Sequence, residues 1–167
     1  MIHVAVLGHE KIKEFIASSK ILENFEEQNV QGSGVDLRIA KIYKIKSSSK
    51  LKKDSRQMPE IEEVASSGSY VMKPGEYVLI ETMERVNMPA NLVARMLPRS
   101  SMFRCGINLA TAVVDPGYNG KITVGMKNFS EHEVEVEIGS RVLQIVFEEV
   151  EGQSVLYDGK YQGGKVV

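Results

Sequence analysis

Hydrophobic and polar positions alternate in short runs along most of the chain. Val35, Leu37 and Ile39 alternate with Asp36 and Arg38, the period of a strand with one buried face. From Tyr70 onward, apolar runs are separated by turn signals. Lys73-Pro74-Gly75-Glu76 precedes YVLIETME, and Asn87-Met88-Pro89 precedes NLVARML. Asp115-Pro116-Gly117 and Asn119-Gly120 bracket Tyr118 before KITVGMKN, and Ile138-Gly139-Ser140 precedes RVLQIVFEEV. Strands this short and this regularly spaced predict an all-β sandwich or barrel, not alternating βαβ units. One segment breaks the pattern. Over 9–18, Ile12, Phe15 and Ile16 fall at helical spacing with charges opposite, which predicts a short amphipathic helix on the edge of a sheet. The Ser- and Lys-rich stretch 46–57 reads as an exposed loop, and 151–167 as a C-terminal tail.

Composition narrows the setting. A chain of 167 residues with 43% hydrophobic and 26% charged residues suits one globular domain, 1–167. A net charge of −1 gives no sign of a nucleic-acid surface, so any anionic ligand needs a local cluster of cations or backbone N–H groups. One cysteine, Cys105, allows no internal disulfide and favours a reducing compartment. No stretch approaches the roughly 20 apolar residues of a membrane helix, and the opening MIHVAVLGHEK gains charges too early for a secretory signal. A soluble, cytoplasmic protein is the expectation.

Several chemistries are excluded by absence. There is no Gly-rich loop ending in Lys-Ser/Thr, no GxSxG elbow, and no Cys/His set for a zinc deaminase, the three histidines being scattered. What remains is a polar set in a β context. Arg99, Ser100 and Ser101, with Arg104 close behind, follow an apolar strand; hydroxyls and guanidinium groups there suit a phosphate chain, or a capped turn with a surface ion pair. Asp115 closes an apolar stretch before Pro-Gly, where a carboxylate is placed to orient and deprotonate water, or simply to start a turn. Tyr118 is a stacking platform or a turn aromatic. Asp36, on the polar side of its strand, pairs with an arginine, holds metal-bound waters, or is a plain surface acid. Gln144, an amide among apolar neighbours, needs a partner in the backbone or in a ligand.

Together these segments resemble one superfamily, the trimeric dUTPases and dCTP deaminases. Gly34-Val35-Asp36-Leu37, Pro98-Arg99-Ser100-Ser101, Val114-Asp115-Pro116-Gly117-Tyr118-Asn119-Gly120 and Gly139-Ser140-Arg141-Val142-Leu143-Gln144 are similar to its motifs and stand in its order. The resemblance implies a distorted jelly-roll, or β-clip, barrel of the dUTPase type with a short N-terminal helix. Deaminases of this superfamily carry a glutamate on the strand after the hairpin. Gly125 occupies that place, and Ala112-Val113-Val114 replaces their His-Arg pair. The expected function is therefore dUTP hydrolysis to dUMP and pyrophosphate by a hydrolase of nucleotide metabolism. The alternatives are a dCTP deaminase, mono- or bifunctional, and a non-catalytic nucleotide-binding β protein.

The resemblance also implies roles. Asp115 orients the attacking water, and Arg99, Ser100, Ser101, Arg104 and Gln144 grip the triphosphate. The hairpin from Leu109 to Tyr118, with Ala112 and Val113 between, takes the base, while Tyr118 packs on the deoxyribose. Mg²⁺ rides on the phosphates, aided by Asp36 through water. The partners expected are dUTP and two further copies in a homotrimer with sites between subunits, without nucleic acid or membrane. The tail lacks the Arg and Phe that close typical dUTPase sites, which leaves Tyr161, with Tyr157 and Lys160, as a shorter lid hinged at Gly163 and Gly164.

Overall fold

In the computed structural model, residues 5–167 are described; 1–4, with His3 and most of the apolar opening, lie outside them. Helix α1 (His9–Ser19) forms over the stretch of helical periodicity and buries Ile12 completely. It stops at Lys20, whose left-handed backbone (φ 50°, ψ 42°) returns its N–H to the Ile16 carbonyl. β1 (Leu22–Glu23) and a 3₁₀ turn (Glu27–Asn29) lead into the long strand β2 (Val35–Ile45). The stretch expected as a loop instead contains a small exposed ribbon, β3 (Lys50–Leu51) paired with β4 (Arg56–Gln57). β5 (Ile61–Ala65), β6 (Ser69–Met72), β7 (Tyr77–Asn87) and β8 (Leu92–Pro98) follow. Next comes the five-residue helix α2 (Ser100–Arg104), then β9 (Ile107–Ala110) and β10 (Val113–Val114). β11 (Asn119–Asn128), β12 (Val134–Glu137) and β13 (Arg141–Glu149) complete the strands.

The main sheet runs β10-β8-β13-β2-β7-β11-β9, with β1 on β7 and β5 on β2. β2 is its corner. Its first half, Val35 to Arg38, pairs with β13, and its second, Ile39 to Tyr43, pairs with β7. Register shifts between Ile39 and Lys41, and between Arg141 and Leu143, let the strands bend there. A strand that changes partners curls the sheet over its own apolar face. The result is a mostly β, curled half-barrel; the alternating pattern predicts the β class, and the family resemblance the barrel.

The inside of the curl is one apolar cluster. Leu37, Ile39, Ile42, Ile80, Leu92, Met126, Ile145 and Phe147 have no exposed surface. At about 1.5–3 kcal/mol for each large side chain buried, this cluster supplies most of the drive to fold. A charged pair is sealed at its rim. Glu84 is fully buried, and Arg38 donates to its two oxygens from its backbone N–H at 2.9 Å and from Nε at 2.7 Å. The rest of the guanidinium reaches Glu26 and, at 2.6 Å, the Asn24 carbonyl. No helix among the described residues is long and apolar enough to cross a membrane.

Candidate active site

Two clusters gather the candidate residues. The first lies where β8, β13 and β2 meet. Asp36 proves to be buried, not a surface acid, and stands opposite Gln144 in the sheet. Arg99 Nε reaches its carboxylate at 3.0 Å and Arg141 Nη1 at 3.5 Å; Arg99 Nη1 also donates to the Arg141 carbonyl at 3.3 Å. Of the roles open to Asp36, pairing with arginine is therefore the one its geometry fills. Arg141, which sequence reasoning left without a role, completes the set. Its signal was its place in the Gly-Ser-Arg turn, two residues from Leu143 in a strand facing Asp36. Gly34 shapes the same corner. A side chain there would fall 2.5 Å from the Ile145 carbonyl and 2.9 Å from Gln144 Cγ, so the missing Cβ makes room for the Gln144 side chain.

Burial pushes the Asp36 carboxyl above its ordinary value of 3.8, against the opposing pull of Arg99 and Arg141. The folded chain thus holds this proton to higher pH than the unfolded chain. The stability that this group contributes is fully present below 3.8 and is lost as pH rises through the raised folded value. Asp36→Asn is expected to flatten that fall. Urea unfolding of both proteins at a series of pH values checks it, and an unchanged slope would show that another group titrates. Ser100, Ser101 and Arg104 are exposed on α2, close in sequence to this cluster; the Arg104 guanidinium lies 5.6 Å from the Phe103 ring centre.

The second cluster lines a cavity of about 510 Å³ between the hairpin, β11 and the tail. Ala112, Val113, Asp115, Tyr118 and Tyr161 all border it. Leu109 does not: it is buried opposite Met126, and its neighbour Ala110 takes the cavity wall, as strand alternation requires. Asp115 is exposed and is the single acid among the lining residues. Tyr118 is buried with its hydroxyl donating to the Lys121 carbonyl at 2.6 Å; burial pushes that hydroxyl up to about 12. Its ring meets Tyr157 edge-on, centroids 5.4 Å apart.

The tail is pinned beside this cavity. Tyr157 N–H donates to the Pro116 carbonyl at 2.8 Å, and Gln162 Nε2 to the Gly117 carbonyl at 2.9 Å. Asn119 N–H donates to Gln162 Oε1, and Gly163 N–H to the Asn119 carbonyl, both at 2.8 Å. Gly120 is what permits the approach, since a Cβ there would lie 2.8 Å from Gly163 C. Gly163 is thus an anchor of the tail, whereas the lid reading made it a hinge.

The glycine at 125 has a physical counterpart. Gly125 borders the cavity, and a side chain built there would run into the Tyr77 phenol, lying 2.7 Å from Cζ and overlapping the hydroxyl. Tyr77 fills the space that any larger residue at 125 would need, and sequence reasoning passed it over as one aromatic in a strand.

With both clusters placed, comparison with known proteins decides the family. The model of the dCTP deaminase-like family matches residues 6–150. The chain belongs to the dCTP deaminase-like family. The dCTP deaminase of Pyrococcus furiosus is 35% identical to it over 144 residues, covering 86% of this chain and 85% of the relative. The crystal structure of the Agrobacterium tumefaciens 2′-deoxycytidine 5′-triphosphate deaminase shares the fold, with a TM-score of 0.72 at 20% identity over 88% of this chain. This chain spans about half of that one, 49%. The dUTPase of phage phi11 shares it too, with a TM-score of 0.54 at 14% identity over 97% of this chain and all of the phage chain.

Membership in the dCTP deaminase-like family corrects the expected function. The reading as a dUTP diphosphatase rested on two local departures, Gly125 in place of the glutamate and Ala112-Val113-Val114 in place of the His-Arg pair, whereas the family likeness runs through almost the whole strand framework. Relatives about 34% identical over most of the chain carry the name dCTP deaminase, some with the addition dUMP-forming. Names of the nucleotidohydrolase kind occur among the relatives but are fewer. The relatives of this dCTP deaminase-like chain are nucleotide-metabolising enzymes.

Proposed function

We propose that this chain is a dCTP deaminase. The observation that carries the reading is the cavity: an apolar pocket beside the hairpin whose lining holds one acidic side chain, Asp115, in a chain of this family. The net reaction is the replacement of an amino group by water, giving dUTP and ammonia. A water oxygen bonds to C4 of the cytosine, the exocyclic C4–N4 bond breaks, ammonia leaves, and the second water proton ends on N3 of the uracil. Asp115 takes a proton from the water and returns it to the departing amine. With glycine at 125, no carboxylate projects from the β11 wall, so Asp115, the one acidic side chain of the lining, is the group that can carry this proton.

Arg99, Arg141, Ser100, Ser101, Arg104 and Gln144 would hold the triphosphate, the arginines exchanging Asp36 for phosphate oxygens. Asp36 is engaged by two guanidinium groups, and no set of three His, Cys, Asp or Glu side chains converges among the described residues. Mg²⁺ would accordingly arrive as part of the nucleotide complex, with the protein gripping the phosphates around it. Tyr157, Tyr161 and Lys165, already at the cavity, would cover the nucleoside.

Strand register supports an oligomer. Val114 stands opposite Ala94, and Asp115 continues away from Arg99. At ~3.4 Å per residue, Arg99 lies about 20 Å along β8 from the level of Asp115. A base in the pocket would then take its phosphate grip from a second copy, as a homotrimer with sites between subunits provides.

A dUMP-forming version of the same activity is favoured by the exposed carboxylate of Asp115 on the cavity lining and by relatives 33–34% identical whose names carry the words dUMP-forming. Incubation with Mg²⁺ and dCTP, following ammonia and pyrophosphate together, tests both. Ammonia alone is the expected signature of deamination, and ammonia with equal pyrophosphate that of the dUMP-forming version. Release of neither ends the deaminase reading.

A further inference from the structure

On the β11 wall of the cavity, one polar atom has no protein partner. Thr123 Oγ1 is buried without a hydrogen bond, and it is the one such side-chain atom among the described residues. Its strand neighbours are accounted for: the Ile122 N–H donates to Thr82 Oγ1 at 3.0 Å, and the Tyr118 hydroxyl is spent on the Lys121 carbonyl. Beyond Thr123 on the same face of the strand stands Gly125, closed over by the Tyr77 ring. Val124 and Ile122, together with Leu79 and Ala110, make the surrounding lining apolar. A hydroxyl left unpaired and covered in this way costs the fold about 1–3 kcal/mol, and a turn of the Thr123 side chain about χ1 toward the cavity that Thr123 borders would let a ligand atom bond it and remove that cost.

From this we infer that Thr123 is a base-recognition residue: its hydroxyl hydrogen-bonds the polar edge of a pyrimidine held in the cavity. The inference rests on the reading of this cavity as a pyrimidine nucleotide pocket. A hydroxyl both donates and accepts, so it matches the amino edge of cytosine and equally the carbonyl edge of uracil. It thereby serves a pocket whose substrate and product differ at that edge.

Two variants test it on the full chain. Thr123→Val keeps the shape and removes the hydroxyl; Thr123→Ser keeps the hydroxyl. Binding of dCTP and of dUTP, each with Mg²⁺, is titrated calorimetrically, and melting is followed without nucleotide. Thr123→Val is expected to bind both nucleotides about tenfold more weakly while melting at the same temperature or higher, because an unpaired buried hydroxyl has been removed. Thr123→Ser is expected to bind like the parent chain. Unchanged binding by Thr123→Val overturns the inference, and so does weaker binding accompanied by a lower melting temperature, which marks a structural role. If the parent chain binds dUTP but not dCTP, the deaminase reading fails while the dUTP arm still decides the role of Thr123. If it binds neither, both fall.

Discussion

Asp115→Asn is expected to lower the rate of ammonia release from dCTP by about 10²–10⁴-fold, the usual worth of a positioned general base. The carboxamide keeps the volume and most of the hydrogen bonding of the carboxylate but takes up no proton. Because Asp115 is exposed at the start of the Asp-Pro-Gly turn, the change leaves the core untouched and the melting temperature should not move. Affinity for dCTP should stay within a few-fold, since the pocket walls come from other residues. Single-turnover ammonia release, with calorimetric binding beside it, separates the two effects. If the variant keeps more than about a tenth of the parent rate, Asp115 serves only to open the turn, and the proton travels through another group.

The second large effect concerns stability and lies away from the cavity. Arg38→Ala is expected to cost about 3–5 kcal/mol, because Glu84 would remain fully buried with one backbone N–H in place of its ion pair. Loss of the link to Glu26 adds little, since that carboxylate is half exposed and finds water. Replacing both residues by leucine should recover most of the loss, because the burden is the uncompensated charge, not the missing bond. Urea unfolding of the two single variants and the double variant checks this. An Arg38→Ala loss of under about 1 kcal/mol would place Glu84 in contact with solvent in the working protein.

Period and turn chemistry made the framework legible. The alternation of Val35, Leu37 and Ile39 marks β2, and the runs after Pro74, Pro89, Gly120 and Gly139 mark β7, β8, β11 and β13. Helix α1 was legible from three apolar residues at helical spacing. The ribbon of β3 and β4 was not, because its residues are exposed and polar, and two-residue strands leave no periodic trace. Nor was α2, whose five residues are too few for a helical pattern. Within the candidate site, sequence placed Arg99 and Asp115 in motifs but could not show that Asp36 is buried between two arginines. Burial of a polar residue depends on what the neighbouring strands bring, here β13 with Arg141. The interlock of Tyr77 and Gly125 was equally hidden, since the two residues are distant in sequence and meet only through the pairing of β7 with β11. Choosing between two branches of one superfamily from Gly125 and Ala112-Val113-Val114 therefore set two local departures above a likeness that runs over residues 6–150.

The distance along β8 between Arg99 and the level of Asp115 bears on how damage spreads. In a ring of identical chains built as proposed, each chain lends its pocket to one nucleotide and its arginines to the next. One altered chain therefore sits beside two nucleotides, and its place in the ring decides which neighbour it impairs. A defect in the arginine cluster leaves its own pocket sound and silences the adjoining one. A defect in the pocket does the reverse. In a mixture of altered and sound chains, the loss would then be felt through the mixed rings the two form.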